Sequence, residues 1–383
     1  MKIYLDNAAT TKMDESVVKA MSPYFTDKFG NPSSSHWLGQ EAKRDLEEAR
    51  DVIAKAIGAD RKEIVFTSGG TESNNFTIKG IAFENKGKGN HIITTKIEHD
   101  CVLNACKWLE TQGFNITYLD VDSEGFISSE DLEKAITPKT ILVSIIHGNN
   151  EIGTIQDLKA LGDVCKKHNV LFHTDACQSF TKTELNVKKQ NLDLITLNAH
   201  KIHGPKGVGV LYVKKGTKIS PLSHGGGQEF GLRSGTENVP GAVGFAKSVK
   251  NSNSKDVKKM TELRDRLIKA VLEIPDTRLN GSKGEERLCN NCNFSFKYIE
   301  GEAIGSFLDG AGIQSSTGSA CSSKSLEPSH VLIALGLKEE DAHGSLRLSL
   351  SKHTTEQEID YVIEKLKKTV ERLRKISPLG KSE

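Results

Sequence analysis

Short apolar runs alternate with longer amphipathic stretches over residues 40–210 of the chain. The runs at 141–146, 171–174, 192–197 and 208–213 have the length and composition of buried strands. Helix-like stretches lie between many of these runs, and one begins near Thr71 and continues to about residue 83. Strands that alternate with helices predict a mostly parallel sheet wrapped by helices.

The last third of the chain has a different pattern. A polar interruption at 251–254 precedes a charged helix-like stretch, and we place a domain boundary there. Near the end, Thr355 and Glu358 have the spacing of a capping box. Five apolar residues then repeat at helical spacing, namely Ile359, Val362, Leu366, Val370 and Leu373. The chain is therefore predicted to end in an amphipathic helix.

Composition narrows the class of protein without naming a function. A chain of 383 residues is too long for one core of ordinary size, so two domains are expected. A net charge of +2, from 52 basic and 50 acidic residues, points to neither nucleic acid nor a membrane surface. The first residues lack a signal-peptide pattern, and no apolar run approaches membrane-spanning length. Seven cysteines, an odd number, favour a reducing compartment, and the cytoplasm is expected.

Lys201 stands in an unusual place for a lysine. It follows the apolar run 192–197, is flanked by His200 and His203, and precedes a Gly-Pro turn back into a strand. Partly apolar surroundings disfavour the ammonium form, which makes the amine a usable nucleophile toward an aldehyde. The alternative is an ordinary surface lysine whose ammonium reaches water.

Two further segments place possible ligand-binding groups at the ends of predicted strands. In 63–75 a strand pattern meets the Gly69-Gly70 pair and then a helix start, a geometry that presents backbone N–H groups to a phosphate. An ordinary strand-to-helix turn would look the same. In 170–178 an apolar strand closes on Asp175, a carboxylate that needs a partner. A protonated ring nitrogen or a buried arginine could supply it.

An amine, a phosphate cradle and a strand-end carboxylate together describe a site for pyridoxal phosphate. The lysine would bind the aldehyde, the helix start would take the phosphate, and the aspartate would keep the pyridine nitrogen protonated. That protonation lets the ring act as an electron sink.

The chain resembles the cysteine desulfurases of the NifS/IscS type, within the class V aminotransferase-like family. The matching runs, in the family's order, are 4–11, 30–34 with His36, 66–75, 149–153, 200–207, 225–229, 233–236 and 318–321. They extend from the first residues almost to the last helix.

The resemblance implies a fold and an activity. The fold is the fold-type I architecture of pyridoxal phosphate enzymes, an α/β fold with a mostly parallel seven-stranded sheet. Residues 15–254 would form the large cofactor domain, and residues 1–14 with 255–383 a smaller α+β domain. The activity is conversion of L-cysteine to L-alanine in a homodimer. Its sulfur would pass to acceptors for iron–sulfur cluster assembly or other sulfur-containing products, with a scaffold protein among the partners.

Cys321 indicates which reaction the cofactor serves. It lies in 314–325, a stretch of small polar residues that predicts an exposed, mobile loop. A buried, inert cysteine is the common alternative, but a loop of serine and glycine is poorly suited to bury it. In the family this cysteine takes the sulfur as a persulfide, and the long loop resembles the group I enzymes. No intrinsic metal is expected, although Cys321 could transiently ligate an iron–sulfur cluster.

The resemblance also assigns roles to individual residues. His99 would stack on the pyridine ring and move protons, although a surface histidine at a helix start is the alternative. Contacts to the cofactor are implied for Gly70, Thr71, Asn150, Asp175, Gln178, Asn198, His200 and Lys201, with Thr236 supplied by the second subunit. Arg347 would bind the substrate carboxylate as a bidentate fork, with Asn150 nearby.

Three features depart from the pattern or stand outside it. Asn198 occupies a position where the family usually has a phosphate-contacting serine, so we expect binding with altered geometry. The sequence ends soon after Ser-Pro-Leu at 377–379, where housekeeping members continue into a scaffold-docking extension, so that docking mode is in doubt. The Cys289/Cys292 pair has metal or redox spacing but no second pair, and we interpret it as incidental. The remaining cysteines, namely Cys101, Cys106, Cys165 and Cys177, are predicted to be core residues.

Two alternatives to desulfuration remain open from sequence. The chain could be a selenocysteine lyase or another class V enzyme, such as an aminotransferase or epimerase. It could also be a non-catalytic scaffold, but the joint presence of Lys201, Asp175, His99 and Cys321 argues against that.

Overall fold

The computed structural model describes residues 2–317 and 327–378. Within these residues the strands are β1 (Ile3–Tyr4), β2 (Ile64–Thr67), β3 (His91–Thr95), β4 (Asn115–Leu119), β5 (Thr140–Ser144), β6 (Leu171–Asp175), β7 (Leu194–Asn198), β8 (Gly209–Val213), β9 (Thr277–Leu279), β10 (Asn291–Phe296), β11 (Ile313–Gln314) and β12 (Ser345–Ser349). The helices are α1 (Glu15–Met21), α2 (Trp37–Ile57), α3 (Gly70–Glu84), α4 (Asp100–Glu110), α5 (Ser129–Ala135), α6 (Leu158–Lys167), α7 (Val239–Asn251), α8 (Ser254–Val271), α9 (Gly301–Gly310), α10 (His330–Ala334), α11 (Glu339–His343) and α12 (Glu356–Ile376).

A seven-stranded sheet in the order β2-β8-β7-β6-β5-β3-β4 forms the centre of the molecule. Strand β8 runs antiparallel to both of its neighbours, and the other pairings are parallel. The prediction of a mostly parallel sheet is therefore confirmed. The four predicted strand runs fall on β5, β6, β7 and β8, and the predicted helix from Thr71 falls on α3.

The strands are buried on both faces, which explains why they read as continuous apolar runs. Successive residues point to opposite sides: Leu142 and Leu194 face α3 and α4, whereas Val143 and Ile195 face α2, α6 and α7. Each fully buried Leu, Ile or Val side chain contributes about 1.5–3 kcal/mol relative to exposure. The strand ends, where this packing stops, are left to present polar side chains.

A separate hydrophobic cluster joins the two ends of the chain. It combines Ile3 and Leu5 with apolar side chains from residues 263–373. Its sheet has the order β12-β10-β9, and its last helix, α12, begins with the predicted capping box of Thr355 and Glu358. Helix α8 begins at Ser254, beside the predicted boundary. The division at 254/255 stays a prediction that this arrangement supports.

The N-terminal segment crosses from one cluster to the other. Strand β1 pairs in parallel with β11, and Asn7 Nδ2 donates to the Ser349 carbonyl at 2.8 Å. A few residues later, the Thr11 N–H donates to the carbonyl of His200 at 3.0 Å. The segment thus runs along the junction between the two clusters. Over the described ranges, no helix is both long and apolar enough to span a bilayer.

Candidate active site

A cavity of about 590 Å³ opens at the carboxyl ends of the parallel strands. Ligand sites of open α/β sheets lie at this edge, and the volume falls in the range typical of small-molecule pockets. Of the residues predicted for the site, those that line the cavity are Gly70, Thr71, His99, Asn150, Asp175, Gln178, Asn198, His200, Lys201 and Arg347. Thr236 is exposed and does not line it, and Cys321 lies outside the described residues.

Lys201 is half-buried at the end of a short turn, Ala199–Lys201, that follows β7. Its Nζ donates to the carbonyl of Ala8 at 2.5 Å and to that of Ala9 at 2.8 Å. The amine therefore points into the cavity and is held by the N-terminal segment, so the interpretation as an ordinary surface lysine is wrong.

Asp175 ends strand β6 and is 5% exposed. Its carboxylate accepts hydrogen bonds from Asn74 Nδ2 at 2.6 Å and from the Cys177 N–H at 2.9 Å. Across the described ranges no arginine forms an ion pair with it, so the buried arginine alternative does not fit. Two neutral donors orient the carboxylate and leave its charge available to a cationic partner.

The start of α3 lies where the sequence predicts a phosphate cradle, and phosphate binding there stays a prediction. The first N–H groups of a helix have no partner within it and point outward with the positive end of the helix dipole. A Cβ at Gly70 would lie 2.8 Å from Cys177 Sγ, so the close approach requires glycine. Asn198 faces the same place: its Nδ2 is 3.4 Å from that Cβ position, and its buried Oδ1 has no hydrogen-bond partner among the described residues.

His200 closes the cradle from the side. Its Nδ1 lies 3.0 Å from Thr10 Oγ1. Burial lowers the pKa of this imidazole to about 4, and the nearby Lys201 and Lys206 charges act in the same direction. The ring is therefore neutral at physiological pH and can donate its N–H to an anion without adding charge.

His99 is the N-cap of α4 and is half-buried on the cavity wall. Its Nδ1 accepts from the Cys101 N–H at 3.1 Å, which assigns the proton of the neutral ring to Nε2. The alternative of a surface histidine at a helix start is therefore correct about the helix start, but the His99 side chain is half-buried and not exposed.

Glu98 is a buried carboxyl group that the sequence interpretation missed. It is 1% exposed, lines the cavity, and accepts from Thr95 Oγ1 at 2.9 Å and from the Ile146 N–H at 2.8 Å. Burial raises its pKa to about 8, and the neighbouring Asp175 charge adds to the rise. At neutral pH it is mainly protonated. A carboxylate directly after an apolar strand, next to His99, was the available signal.

The cavity wall opposite Lys201 and Asp175 includes a residue from the part of the molecule that contains the cluster joining the two ends of the chain. Arg347, in β12, donates through Nη1 to the Asn150 carbonyl at 3.1 Å and through Nη2 to Asp6 Oδ1 at 3.0 Å. Its side chain is 3% exposed. Gln178 Nε2 donates to the Ala8 carbonyl at 2.8 Å, so it supports the same backbone segment that holds Lys201.

The cysteines divide differently from the prediction. Cys106 and Cys165 lie in the hydrophobic clusters as predicted. Cys101 packs against the same cluster as Cys106, but Cys101 and Cys177 are only half-buried and also line the cavity. Burial raises the pKa of Cys101 to about 12. Cys289 and Cys292 are buried. Gln314, placed at the start of the predicted loop, belongs to β11, and residues 318–326 lie outside the described residues.

Comparison with known proteins agrees with this geometry. The family model for aminotransferase class-V matches residues 3–362. The chain is 52% identical over 381 residues to a cysteine desulfurase IscS of Dictyoglomus turgidum, covering 98% of this chain and 96% of the relative. It is 51% identical to a cysteine desulfurase IscS of Methanosarcina thermophila, covering 100% of this chain and 95% of the relative.

Solved structures give the same result. A NifS-like protein superposes with a TM-score of 0.91 at 40% identity, covering 97% of this chain and 100% of that one. SspA in complex with cysteine superposes with a TM-score of 0.84 at 39% identity, covering 92% of this chain and 100% of that one. With an amine, a carboxylate and an imidazole gathered at the strand ends of this fold, the chain belongs to the aminotransferase class-V family and, within it, to the cysteine desulfurases.

Proposed function

We propose that this protein uses pyridoxal phosphate to convert L-cysteine to L-alanine and to take the sulfur as a persulfide on Cys321. The observation that carries the proposal is the convergence of Lys201, Asp175 and His99 in one cavity, opposite Arg347. These groups come from four separate parts of the sequence, and an α/β scaffold without this chemistry would have no need to bring them together.

The residues present fit the cofactor. The Asn198 Nδ2 donor, the helix start at Gly70 and the neutral ring of His200 surround a place suited to a phosphate. Asp175 supplies a fixed carboxylate for a protonated ring nitrogen, and Lys201 supplies the amine for the aldehyde. When bound there, pyridoxal phosphate would supply an electron sink for the pair of electrons released at the substrate Cα.

The chain's own groups would handle the protons and the substrate. The Lys201 amine, once released from the cofactor, can take and return the proton at Cα, because the Ala8 and Ala9 carbonyls keep it in the cavity. His99 carries a proton on Nε2 at the cavity wall, where it can serve a leaving or arriving thiol. Glu98, mainly neutral, keeps the wall beside Asp175 free of a second negative charge.

Arg347 is the proposed anchor of the substrate carboxylate. A guanidinium offers two parallel N–H donors that match a carboxylate, and such charge-assisted pairs are roughly twice as strong as neutral hydrogen bonds. In the structure Arg347 engages Asp6 Oδ1 and the Asn150 carbonyl. We propose that the substrate carboxylate takes over part of this coordination, with the Asn150 side chain and Gln178 near the cofactor's phenolic oxygen.

A homodimer is part of the proposal. Thr236 is exposed and does not line the cavity of its own chain, and we propose that it contacts the phosphate in the second subunit. Large aromatic side chains also stand exposed close together in sequence, with Phe25 at 65%, Phe29 at 67% and Trp37 at 73%. We propose that these side chains contribute to the interface between the two subunits. The proposed setting is the cytoplasm, with a sulfur acceptor such as an iron–sulfur scaffold protein.

The test uses the loaded enzyme with L-cysteine and measures alanine, sulfide and protein persulfide. The parent should release alanine, and thiol labelling with mass spectrometry should locate the persulfide on Cys321. The Cys321→Ser variant should still bind L-cysteine, and this binding should change the cofactor absorbance at about 420 nm. The variant should form neither persulfide nor alanine at a useful rate.

Two results would redirect the proposal. Persulfide on Cys289 or Cys292 would show that the dismissal of that pair is wrong. Normal desulfuration by Cys321→Ser would favour a lyase that releases its product directly, such as a selenocysteine lyase, and activity on selenocysteine would then be the next measurement.

A further inference from the structure

A second group of ligand-type side chains lies behind the active site, on the far side of the Lys201 turn. One ligand atom each from Asp14, His203 and His353 lie within 4.8 Å of one another. In the part of the chain that the structure describes, this is the only group of three or more His, Cys, Asp or Glu side chains that could hold a metal ion. The proposed desulfuration does not use these residues.

His203 is held in the form that binds a metal. Its Nδ1 donates to the Lys12 carbonyl at 2.9 Å, since a carbonyl can only accept, and Nε2 therefore keeps its lone pair. A histidine whose other nitrogen donates to a backbone carbonyl is the usual arrangement of a metal ligand. The His203 backbone N–H also donates to Thr11 Oγ1 at 2.8 Å, which anchors the main chain that carries the ring.

The Asp14 carboxylate divides its oxygens between two tasks. Oδ2 accepts from Lys352 Nζ at 2.5 Å and from Asn251 Nδ2 at 3.2 Å. Oδ1 lies 3.2 Å from His353 Nε2 and faces the two rings. Lys352 thus occupies Oδ2 and leaves Oδ1 as the oxygen that would bind an ion.

His353 completes the group from the solvent side. Its side chain is 59% exposed, and its ring packs edge-on against His203 with ring centres 5.1 Å apart. In a tetrahedral zinc site, ligand atoms about 2.0–2.2 Å from the ion lie roughly 3.3 Å apart. The group must therefore contract by about 1.5 Å, and rotation of the exposed His353 ring can provide it. The open side also gives an ion its path of entry.

We infer that Asp14, His203 and His353 form a site for a divalent transition metal of the zinc class, with water as the fourth ligand. Two imidazole nitrogens and one carboxylate oxygen are ligands that zinc accepts, whereas magnesium and calcium prefer oxygen alone. The site would join three segments that are distant in sequence, because Asp14 is the N-cap of α1, His203 follows Lys201 by two residues, and His353 lies between β12 and α12. Zinc would thereby fasten the lysine turn to both ends of the chain.

The test uses the loaded enzyme with Cys321→Ser as the parent, because that substitution removes a thiol that could itself bind zinc. Zinc alone is added without L-cysteine, and its affinity is measured by competition with a chromophoric chelator. Cobalt serves as a second probe, since tetrahedral and octahedral sites differ in their visible absorption. The parent should bind one equivalent per chain, show the tetrahedral cobalt spectrum, and unfold at a higher temperature with zinc.

His353→Phe is the matched variant, because phenylalanine keeps the edge-on ring contact with His203 and removes only the ligand. It should fold normally, bind zinc at least about 100-fold more weakly, and lose both the cobalt spectrum and the zinc-dependent rise in unfolding temperature. Equal binding by the parent and His353→Phe, or no binding by the parent below about 1 mM zinc, would overturn the inference.

Lys352→Met tests the division of the Asp14 oxygens. It removes an ammonium that competes for the carboxylate and repels the ion, so zinc affinity should rise by about 10-fold or more. Unchanged or weaker binding would overturn the arrangement in which Asp14 serves Lys352 and the metal together. None of these outcomes depends on whether the enzyme desulfurates L-cysteine.

Discussion

The two walls of the cavity are built in different ways. On the sheet side, Asp175 and Asn198 occupy the last positions of β6 and β7, and Lys201 follows in the next turn. On the opposite side, Arg347 is held by Asp6 and by the Asn150 carbonyl, from segments more than 190 residues away in sequence. The sheet side takes its geometry from the backbone of a buried sheet. The opposite side takes it from long-range polar contacts.

The difference matches the two demands of the proposed chemistry. Groups that stabilise charge in a transition state must already be in place, because moving them costs energy at the moment of reaction. A sheet buried on both faces meets that demand. Substrate must also enter the cavity, and product must leave it. Arg347, which would bind the substrate carboxylate, lies on the side where polar contacts to protein groups can be replaced by contacts to substrate. We therefore expect changes on the sheet side to affect kcat most and changes on the other side to affect KM most.

The largest effect is expected from Lys201→Ala. It should abolish covalent attachment of the cofactor and lower alanine formation by on the order of 10³-fold or more, because it removes both the anchor and the proposed proton carrier. Borohydride reduction and peptide mapping of the parent should place the cofactor adduct on Lys201. Lys206→Ala is the control and should keep the adduct. An adduct on Lys206 would contradict the assignment.

Asp175→Ala comes next. Loss of a charge needed in the transition state costs on the order of several kcal/mol in barrier, so kcat should fall by roughly 10²–10³-fold. Cofactor binding should suffer less, because the phosphate cradle and Lys201 are untouched. Asn74→Ala, which removes only one hydrogen bond to the carboxylate, should give a smaller loss of kcat. Alanine formation near the parent level by Asp175→Ala would reduce Asp175 to a structural role.

Arg347→Lys examines the opposite wall. Lysine keeps the charge but not the planar fork, so KM for L-cysteine should rise by about 10–100-fold while kcat changes much less. Asp6→Asn removes the charged partner of Arg347 and should raise KM by a smaller factor. A fall in kcat equal to the rise in KM would break the division of labour between the two walls.

Glu98→Gln is expected to change stability rather than turnover. Folding raises the pKa of the Glu98 carboxyl to about 8. The protonated carboxyl therefore makes its full contribution to stability at pH values below its unfolded-state pKa, and that contribution is lost as the pH rises through 8. Urea unfolding of the cofactor-free parent should therefore show stability falling between pH 5 and pH 8. The glutamine variant should lack this slope and be more stable than the parent at pH 8, by on the order of a few kcal/mol. Parallel pH profiles would show that Glu98 is ionised in the folded protein.

Residues on the sheet side of the cavity were easier to predict from sequence than the other residues that line it. Asp175 and Lys201 could be found because each follows an apolar run, and the end of a buried strand is a place that sequence marks. Helix and strand patterns predict that Cys101 and Cys177 lie toward the core, but they do not show that both side chains border a cavity. The resemblance supplied Arg347, since nothing in the β12 pattern indicates that its side chain reaches the other cluster.

Contacts between distant segments were beyond prediction from a single chain. The carbonyls of Ala8 and Ala9 hold the Lys201 amine, yet backbone acceptors leave no mark in the residue types. The group of Asp14, His203 and His353 is spread over 340 residues, so no spacing rule for metal ligands could detect it. Local patterns predict elements, and the packing of those elements decides which polar groups meet.

The pairing of β1 with β11 has a consequence for biosynthesis. Ile3 pairs with Ile313, so β1 must wait during synthesis for a partner that is made about 300 residues later. At roughly 5–20 residues per second, that wait lasts about 15–60 s. Until then β1 lacks its strand partner, although the large sheet, whose last strand ends at Val213, has already been synthesised. The N-terminal segment that contacts Lys201 is therefore made early but gains its strand partner only late in synthesis.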